Sequence, residues 1–229
     1  MKYLSIDCET TGINAENDQL ISIGIIIEDT NNPLSFDEIP KFHCIIKRDR
    51  LNGNVFALNL NRELISNLNK YNLANRTEQE TLEQTLGVTF LDEGDVTKSI
   101  YRFLYDNNYI DKPCTDGWSH ALVGEYFEIH KGKSYPVLTK SNTPINILCA
   151  GKNFGTFDKI FLEKLPRWNE IFRIHRRMID PVMLYVDWTK DNVLPNLPEC
   201  KKRAGFDNSI SHDALEDAWD VIQILRKKY

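Results

Sequence analysis

The sequence predicts an α/β protein in which helices flank a mixed sheet of three antiparallel strands followed by parallel strands. Three runs with strand character open the chain, and short links join them as in an antiparallel meander. Apolar residues then recur at helical spacing, and a later buried strand is followed by further helical segments. This order is typical of a sheet whose last strands lie parallel to the first strand.

The opening strands are predicted from β-branched runs bounded by polar or turn-forming clusters. They cover residues 2–8, 20–28 and 42–47. A turn at Thr11 and Gly12 ends the first strand, and the sequence Asn31-Asn32-Pro33 breaks the chain after the second.

The remaining elements follow from helical periodicity, buried apolar runs and proline positions. Leucine and isoleucine spacing predicts helices near residues 60–68 and 96–104. The later predictions, in chain order, are a hairpin at 127–138, a buried strand at 145–150, a short helix at 156–165, a helix start at Asp180-Pro181 and an amphipathic helix at 211–227.

Length, composition and charge favour some classes of protein and exclude others. The 229 residues fit a single domain, and 41% hydrophobic and 27% charged residues are ordinary for a globular chain. Five cysteines without a C-x-x-C motif indicate no disulfide framework or zinc clip, so we expect a cytoplasmic protein. No apolar run suits a membrane span or a signal peptide, so we expect no membrane partner. A net charge of −5 argues against a protein that coats nucleic acid through overall positive charge. It does not exclude an enzyme that contacts phosphates through bound metal ions.

Two acids mark the end of the first strand. Asp7 and Glu9 are two residues apart, so both side chains project from the same face. Two carboxylates this close repel unless a cation holds them, and oxygen ligands suit Mg²⁺ or Mn²⁺. About one D-x-E is expected by chance in a chain of this length, so this pair alone is better explained as a solvated strand end.

A third acid, Asp158, follows the predicted strand at 145–150. A carboxylate at a helix start is commonly explained by its favourable interaction with the helix dipole. Ligands of α/β sheets, however, gather at the carboxyl ends of parallel strands. If this strand neighbours the first strand, Asp158 lies beside Asp7 and Glu9.

The C-terminal helix supplies a fourth acid and a histidine. Of its four acids, Asp217 lies nearest the apolar face, whereas Asp213, Glu216 and Asp220 are expected to point further into solvent. His212 precedes the helix, and histidine can take a proton from water near neutral pH. In isolation, His212 is better explained as a surface histidine at a helix start.

Taken together, these motifs resemble the DEDDh 3′→5′ exonucleases of the ribonuclease-H-like superfamily. The matching segments are IDCETTG at 6–12, NFGTFD at 153–158 and HDALEDA at 212–218. Asn153 lies five residues before Asp158, a spacing similar to that of the oligoribonuclease branch. About 135 residues follow the family plan, and residues 51–144 contain an insertion relative to compact members.

The resemblance implies a site that binds two Mg²⁺ ions, with Mn²⁺ as a possible substitute. Asp7 would bridge both ions, Glu9 and Asp217 would hold the ion that binds the attacking water, and Asp158 would support the second ion. His212 would be the general base. The products would be nucleoside 5′-monophosphates released from the 3′ end of single-stranded DNA or RNA. Substrate-binding roles are assigned to Thr10, Thr11, Gly12 and Asn153.

Several alternatives stay open from the sequence. The chain could be an oligoribonuclease-like exoribonuclease, a polymerase-associated proofreading subunit, an endonuclease on RNA–DNA hybrids, or a catalytically silent binding module. Nothing in the sequence defines an oligomeric state. The basic residues between 167 and 177 are typical of a solvated helix face and receive no role. Trp118, Tyr126 and Phe127 are predicted to pack in a core.

Overall fold

A computed structural model describes residues 1–110, 127–136, 144–207 and 211–229. Within these ranges the strands are β1 (Lys2–Thr10), β2 (Leu20–Asp29), β3 (Lys41–Ile46), β4 (Thr89–Leu91), β5 (Phe127–His130), β6 (Lys133–Pro136), β7 (Ile145–Ile147), β8 (Cys149–Ala150) and β9 (Phe172–Ile174). The helices are α1 (Val55–Leu60), α2 (Arg62–Leu73), α3 (Arg76–Leu86), α4 (Glu93–Asp106), α5 (Asp158–Leu162), α6 (Trp168–Ile171), α7 (Val182–Tyr185), α8 (Leu197–Ala204) and α9 (Ala214–Arg226).

The central sheet has five strands in the order β4-β3-β2-β1-β8. Strands β1, β2 and β3 pair antiparallel, whereas β8 lies parallel to β1 and β4 lies parallel to β3. This mixed sheet flanked by helices confirms the predicted fold class. The sequence analysis did not predict β4, because three residues are too short to show a period.

Helices cover both faces of the sheet, which explains why β2 is apolar along nearly its whole length. Leu4, Ile6 and Cys8 of β1 join one buried cluster with residues of α4, α5 and α6. Tyr3 and Ile26 join a second cluster on the opposite face with residues of α8 and α9. Asp7 and Glu9 are on this second face, because side chains alternate along a strand.

Helix α9 crosses the second face and is attached to it at three points. The Ser5 hydroxyl donates to the carbonyl of Ala218 at 2.7 Å, and Arg226 contacts the fully buried carboxylate of Glu28 at 2.6 Å. Near the helix start, a Cβ atom added to Gly24 would stand 2.3 Å from the carbonyl oxygen of Ala214. The glycine therefore allows two backbones to approach closely.

Three sequence predictions need correction. The strand predicted at 145–150 is divided at Leu148, because β7 pairs with β9 whereas β8 pairs with β1. The last helix begins at Ala214 rather than Ser211, because Asp213 caps it and His212 has a left-handed backbone with φ of 54°. The basic stretch from 167 is not one helix face, since α6 ends at Ile171 and Arg173 lies in β9.

The hairpin predicted at 127–138 is present as β5 and β6 in the described part, residues 127–136. Trp118, Tyr126 and the side chain of Phe127 lie outside what the structure describes. Among the described residues, no helix combines the length and the apolarity that crossing a membrane requires.

Candidate active site

Three of the predicted acids meet where β1 passes under the start of α9. Asp7 pairs across the sheet with Gly24, and Glu9 pairs with Ser22, so both carboxylates lie on the α9 face. Asp217 is on the first turn of α9, where its amide donates to the Asp213 carbonyl at 2.9 Å. Asp7, Glu9 and Asp217 line one cavity of about 270 Å³.

Asp158 reaches the same cluster from the first residue of α5. Its side chain is 2% exposed, and the neighbouring Cys8 lowers the pKa of its carboxylate, in opposition to the effect of burial. The sequence argument required the strand before Asp158 to neighbour β1, and the pairing of β8 with β1 provides this arrangement. Asp7 is close enough to Asp158, Asp217 and Glu9 for each of them to raise its pKa by electrostatic repulsion.

His212 lies above two of these acids. One ring nitrogen of His212 and one carboxylate oxygen each of Glu9 and Asp217 all lie within 4.8 Å of one another. Glu9 and Asp217 are buried, whereas His212 is exposed. The histidine can therefore exchange protons with solvent while it faces the acid cluster.

Burial raises the pKa of all four acids. Burial, followed by repulsion from Asp158 and Asp217, raises the pKa of Asp7 well above its ordinary value. Burial also raises the pKa of Glu9 to about 8 and the pKa of Asp158 and Asp217 to about 7. Each carboxylate is thus costly to ionise unless positive charge is added.

The residues present fit divalent cations. Asp158 Oδ1 and Asp217 Oδ1 are buried without a hydrogen-bond partner, which in a folded protein usually indicates a missing ligand or ion. The four acids offer carboxylate oxygens, the ligands that suit Mg²⁺ or Mn²⁺. Glu9 and Asp217 are spaced closely enough to hold one ion together, and a ring nitrogen of His212 lies within 4.8 Å of both carboxylates.

The predicted substrate-binding residues are only partly brought together. Thr10 and Gly12 line the acid cavity, and the Thr10 hydroxyl donates to the Gly12 carbonyl at 2.6 Å. Thr11 is fully buried and supports the turn, since its hydroxyl accepts from the Gln19 amide at 2.8 Å. Asn153 is exposed on the loop before α5 and is not among the residues that line this cavity.

Sequence reasoning missed Asn61, which lies between α1 and α2. Its amide nitrogen donates to the carbonyl of Thr10 at 3.2 Å, and its side chain also lowers the pKa of Glu9 by hydrogen bonding. It lines both the acid cavity and an adjoining groove of about 440 Å³. No sequence pattern identified it, because an asparagine between two helical runs is ordinary turn chemistry.

The adjoining groove also contains His43 of β3. Its Nε2 lies 3.1 Å from the Ser22 hydroxyl and 3.9 Å from a carboxylate oxygen of Asp213, the cap of α9. Burial lowers the pKa of His43, while Asp213 and Glu216 oppose that shift. His43 thus supports the turn that carries His212.

The other acids of α9 differ partly from the prediction. Asp213 caps the helix by accepting from the amides of Leu215 and Glu216. Asp220 is 13% exposed and pairs with the buried Lys201 at 2.5 Å, so it does not point into solvent. The prediction was wrong for Asp220 because α8 packs beside this part of α9, which helical periodicity alone does not show.

We expect the stability of the metal-free protein to fall as pH rises. Glu9, Asp158 and Asp217 have folded-state pKa values of about 7 to 8, above the ordinary value near 4, so the folded state binds more protons between these limits. The contribution is therefore full below about pH 4 and lost as pH rises through about 8. Thermal unfolding in EDTA should show Tm lower by roughly 10 °C at about pH 8 than at about pH 5.

Asp217→Asn is the control for this measurement. It removes one of the three titrations, so its Tm should depend less steeply on pH than that of the unmodified chain. If Tm depended on pH equally steeply in Asp217→Asn and in the unmodified chain, Asp217 would not belong to the acidic cluster.

One protein-family model matches part of the chain. Residues 4–105 match the model of the RNase_T exonuclease family. This match runs through residues 51–105, the first part of the segment predicted as an insertion. No curated protein matches the chain.

Solved structures of exonuclease I resemble the whole chain. Escherichia coli exonuclease I with a dA16 oligonucleotide is 13% identical with a TM-score of 0.52, over 99% of this chain and 40% of that chain. The zinc-bound complex of the same enzyme with single-stranded DNA is 14% identical, with a TM-score of 0.52 over 98% and 40%. Exonuclease I from Methylocaldum szegediense is 15% identical, with a TM-score of 0.53 over 99% and 40%. The chain thus spans about two fifths of the length of these structures and shares their fold.

Proposed function

This chain carries an exonuclease-family segment at residues 4–105 within the fold of exonuclease I, and on this ground we propose that it is a metal-dependent 3′→5′ exonuclease acting on single-stranded nucleic acid. The family match over residues 4–105 and the shared fold of exonuclease I support the predicted resemblance to 3′→5′ exonucleases of the ribonuclease-H-like superfamily. The observation that carries the proposal is the convergence of Asp7, Glu9, Asp158 and Asp217 beside His212.

The four carboxylates would hold two divalent ions, Mg²⁺ with Mn²⁺ as a substitute. When bound, such ions offset the negative charge of the cluster, activate water and stabilise charge on the attacking and leaving oxygens of a phosphoryl transfer. The unpartnered oxygens of Asp158 and Asp217 support this assignment. It also agrees with the zinc-bound form of a relative of the same fold.

His212 is proposed as the general base. Its ring faces Glu9 and Asp217, and its exposure lets it pass a proton on to solvent. His212 takes a proton from the water that attacks the last phosphodiester, and the bond between phosphorus and the 3′ oxygen of the preceding nucleotide breaks. The leaving oxygen takes up a proton, and a nucleoside 5′-monophosphate is released.

The turn at Thr10–Gly12 and helix α1 are proposed to receive the terminal nucleotide. Thr10, Gly12, Phe56 and Phe157 line the acid cavity, and Phe56 is 75% exposed. Glycine at position 12 lets Asp18 pack against the turn, since a Cβ there would stand 2.2 Å from an Asp18 carboxylate oxygen. Asn153 is exposed on the loop before α5, so it contacts the substrate only if the nucleic-acid strand extends over that loop.

DNA is the substrate that we propose first, because the solved relatives contain single-stranded DNA oligonucleotides. An oligoribonuclease-like activity on short RNA is the alternative, and the same assay distinguishes the two. A catalytically silent module would not need four converging acids. A reducing, cytoplasmic setting is part of the proposal, since Cys8, Cys44, Cys149 and Cys200 are free and buried.

The test is the degradation of matched DNA and RNA strands carrying a 5′ label. With Mg²⁺ we expect a ladder that shortens by single nucleotides from the 3′ end, and with EDTA we expect no shortening. Cleavage at internal positions of an RNA–DNA hybrid would instead indicate an endonuclease. Intact strands of both kinds in the presence of Mg²⁺ or Mn²⁺ would contradict the proposal.

A further inference from the structure

An exposed basic bulge, defined here as residues 175–177, interrupts the pairing of this part of the chain with β7 and β8, the second of which pairs with β1. Ile147 of β7 faces Ile174 of β9, and three residues later Ala150 of β8 faces Ile179. Five residues therefore separate two positions that are three residues apart on the facing strand. The two additional residues bend the chain outward at Arg176 and Arg177.

Hydrogen bonds hold the bulge on both sides. The His175 amide donates to the Ile147 carbonyl at 2.8 Å, and the Ile179 amide donates to the Cys149 carbonyl at 2.9 Å. Within the bulge, the Arg177 amide donates to Nδ1 of His175 at 3.2 Å. These hydrogen bonds fix the outward bend of the chain at this sheet edge.

The bulge concentrates positive charge that the rest of the described chain does not neutralise. Arg173, Arg176 and Arg177 are exposed, and in the described ranges no acid forms an ion pair with any of the three. Most other arginines of this acidic protein do have carboxylate partners, as Arg48 and Arg203 do. Guanidinium groups bind phosphate oxygens in a bidentate fashion, so the unpaired arginines favour a phosphorylated partner.

The bulge lies next to the loop that leads to Asp158. A Cβ atom added to Gly155 would stand 2.7 Å from Cε of Met178, the residue that follows the bulge. The amide of Asn153 donates to the carboxylate of Asp180 at 3.1 Å. The loop ends at Phe157, which lines the acid cavity, so one short segment connects the bulge to the site.

We propose that Arg176 and Arg177 bind the phosphodiester backbone of the single strand several nucleotides upstream of its 3′ end. This inference rests on the proposed function and names the path that a long substrate takes. Basic side chains along the path of a nucleic-acid strand attract its phosphates and add a salt-dependent contribution to binding. An oligonucleotide long enough to reach the bulge gains the phosphate contacts of Arg176 and Arg177, whereas a dinucleotide does not.

The test uses the double variant Arg176→Gln/Arg177→Gln, with Lys70→Gln/Arg76→Gln as the control that removes two exposed charges from α2 and α3. Binding of a labelled single strand of roughly 12 nucleotides is measured in EDTA over a series of salt concentrations. The slope of log affinity against log salt is negative, and each phosphate contact in a single strand contributes about −0.7 to it. Loss of two contacts in the bulge variant should therefore make the slope less negative by about 1.4. The control should keep the original slope, and turnover of a dinucleotide with Mg²⁺ should be the same in all three proteins.

An unchanged affinity and salt slope in the bulge variant would overturn the inference. So would an equal loss of turnover on the dinucleotide, because the arginines would then act by shaping the loop before Asp158. A third outcome is that the unmodified chain shortens no strand, while the bulge variant binds the labelled strand more weakly than the unmodified chain. This outcome would support binding at the bulge and contradict the exonuclease activity. The two proposals therefore fail separately.

Discussion

Asp7→Asn should abolish strand shortening, with a fall of at least roughly 1,000-fold, equivalent to about 4 kcal/mol of activation free energy. Asp7 is the acid that interacts with all three others, so it is the carboxylate best placed to be shared between two cations. Asparagine keeps the size of the side chain but supplies neither the charge nor the second acceptor oxygen. The measurement is the initial rate of 5′-labelled strand degradation at saturating Mg²⁺.

The same variant should stay folded, which separates a chemical effect from a structural one. Removing one of four mutually repelling acids lowers the repulsion in the metal-free state, so Tm in EDTA should stay equal or rise. Asp37→Asn, in an exposed turn, is the matched control and should leave both activity and Tm unchanged. Full activity in Asp7→Asn would mean that the site has been assigned to the wrong residues.

Gly24→Ala should impair both stability and activity although residue 24 takes no part in the chemistry. The added Cβ would stand 2.3 Å from the Ala214 carbonyl oxygen and 2.4 Å from the Leu215 nitrogen. Both atoms belong to the backbone at the start of α9, so the helix has to move away from the sheet. We expect unfolding free energy to fall by about 3 kcal/mol, in the upper range for overpacking.

Activity should fall further than stability alone explains. The displaced helix start carries His212 and Asp217, and a misplacement of about 1 Å in a catalytic group can cost roughly 100-fold in rate. The rate of strand shortening at a temperature where the variant is fully folded measures this effect. Gly94→Ala is the control, because a Cβ there meets nothing within 4 Å and alanine favours the helix α4. Equal rates and stabilities for Gly24→Ala and the unmodified chain would show that α9 does not depend on this contact.

Local patterns in the sequence were enough to predict much of the site. The alternation of β1 placed Asp7 and Glu9 on one face, and the period of the last helix singled out Asp217. The position of Gly24 inside an isoleucine-rich strand also carried a signal, since an interior strand glycine often marks a close backbone approach. The sequence analysis did not use that signal.

Other residues gave no such indication. Asn61 touches Thr10, and His43 supports the cap of α9, yet neither lies in a pattern that points to the acids. Asp220 was expected in solvent but pairs with Lys201, because α8 packs beside α9. The bulge at Arg176 and Arg177 arises from a mismatch in length between two paired segments, which a single segment does not reveal.

By itself, then, the sequence determined the main strands and helices, the buried faces of β1 and α9, and the acids Asp7, Glu9 and Asp217 at those faces. Such properties depend on neighbours within a few residues, so periodicity records them. The tertiary structure decided which strand lies beside β1, how closely α9 approaches the sheet, and which polar groups surround the acids. These depend on contacts between residues more than a hundred positions apart, as between Leu4 and Cys149 or Ser5 and Ala218, and the packing of the whole chain selects them.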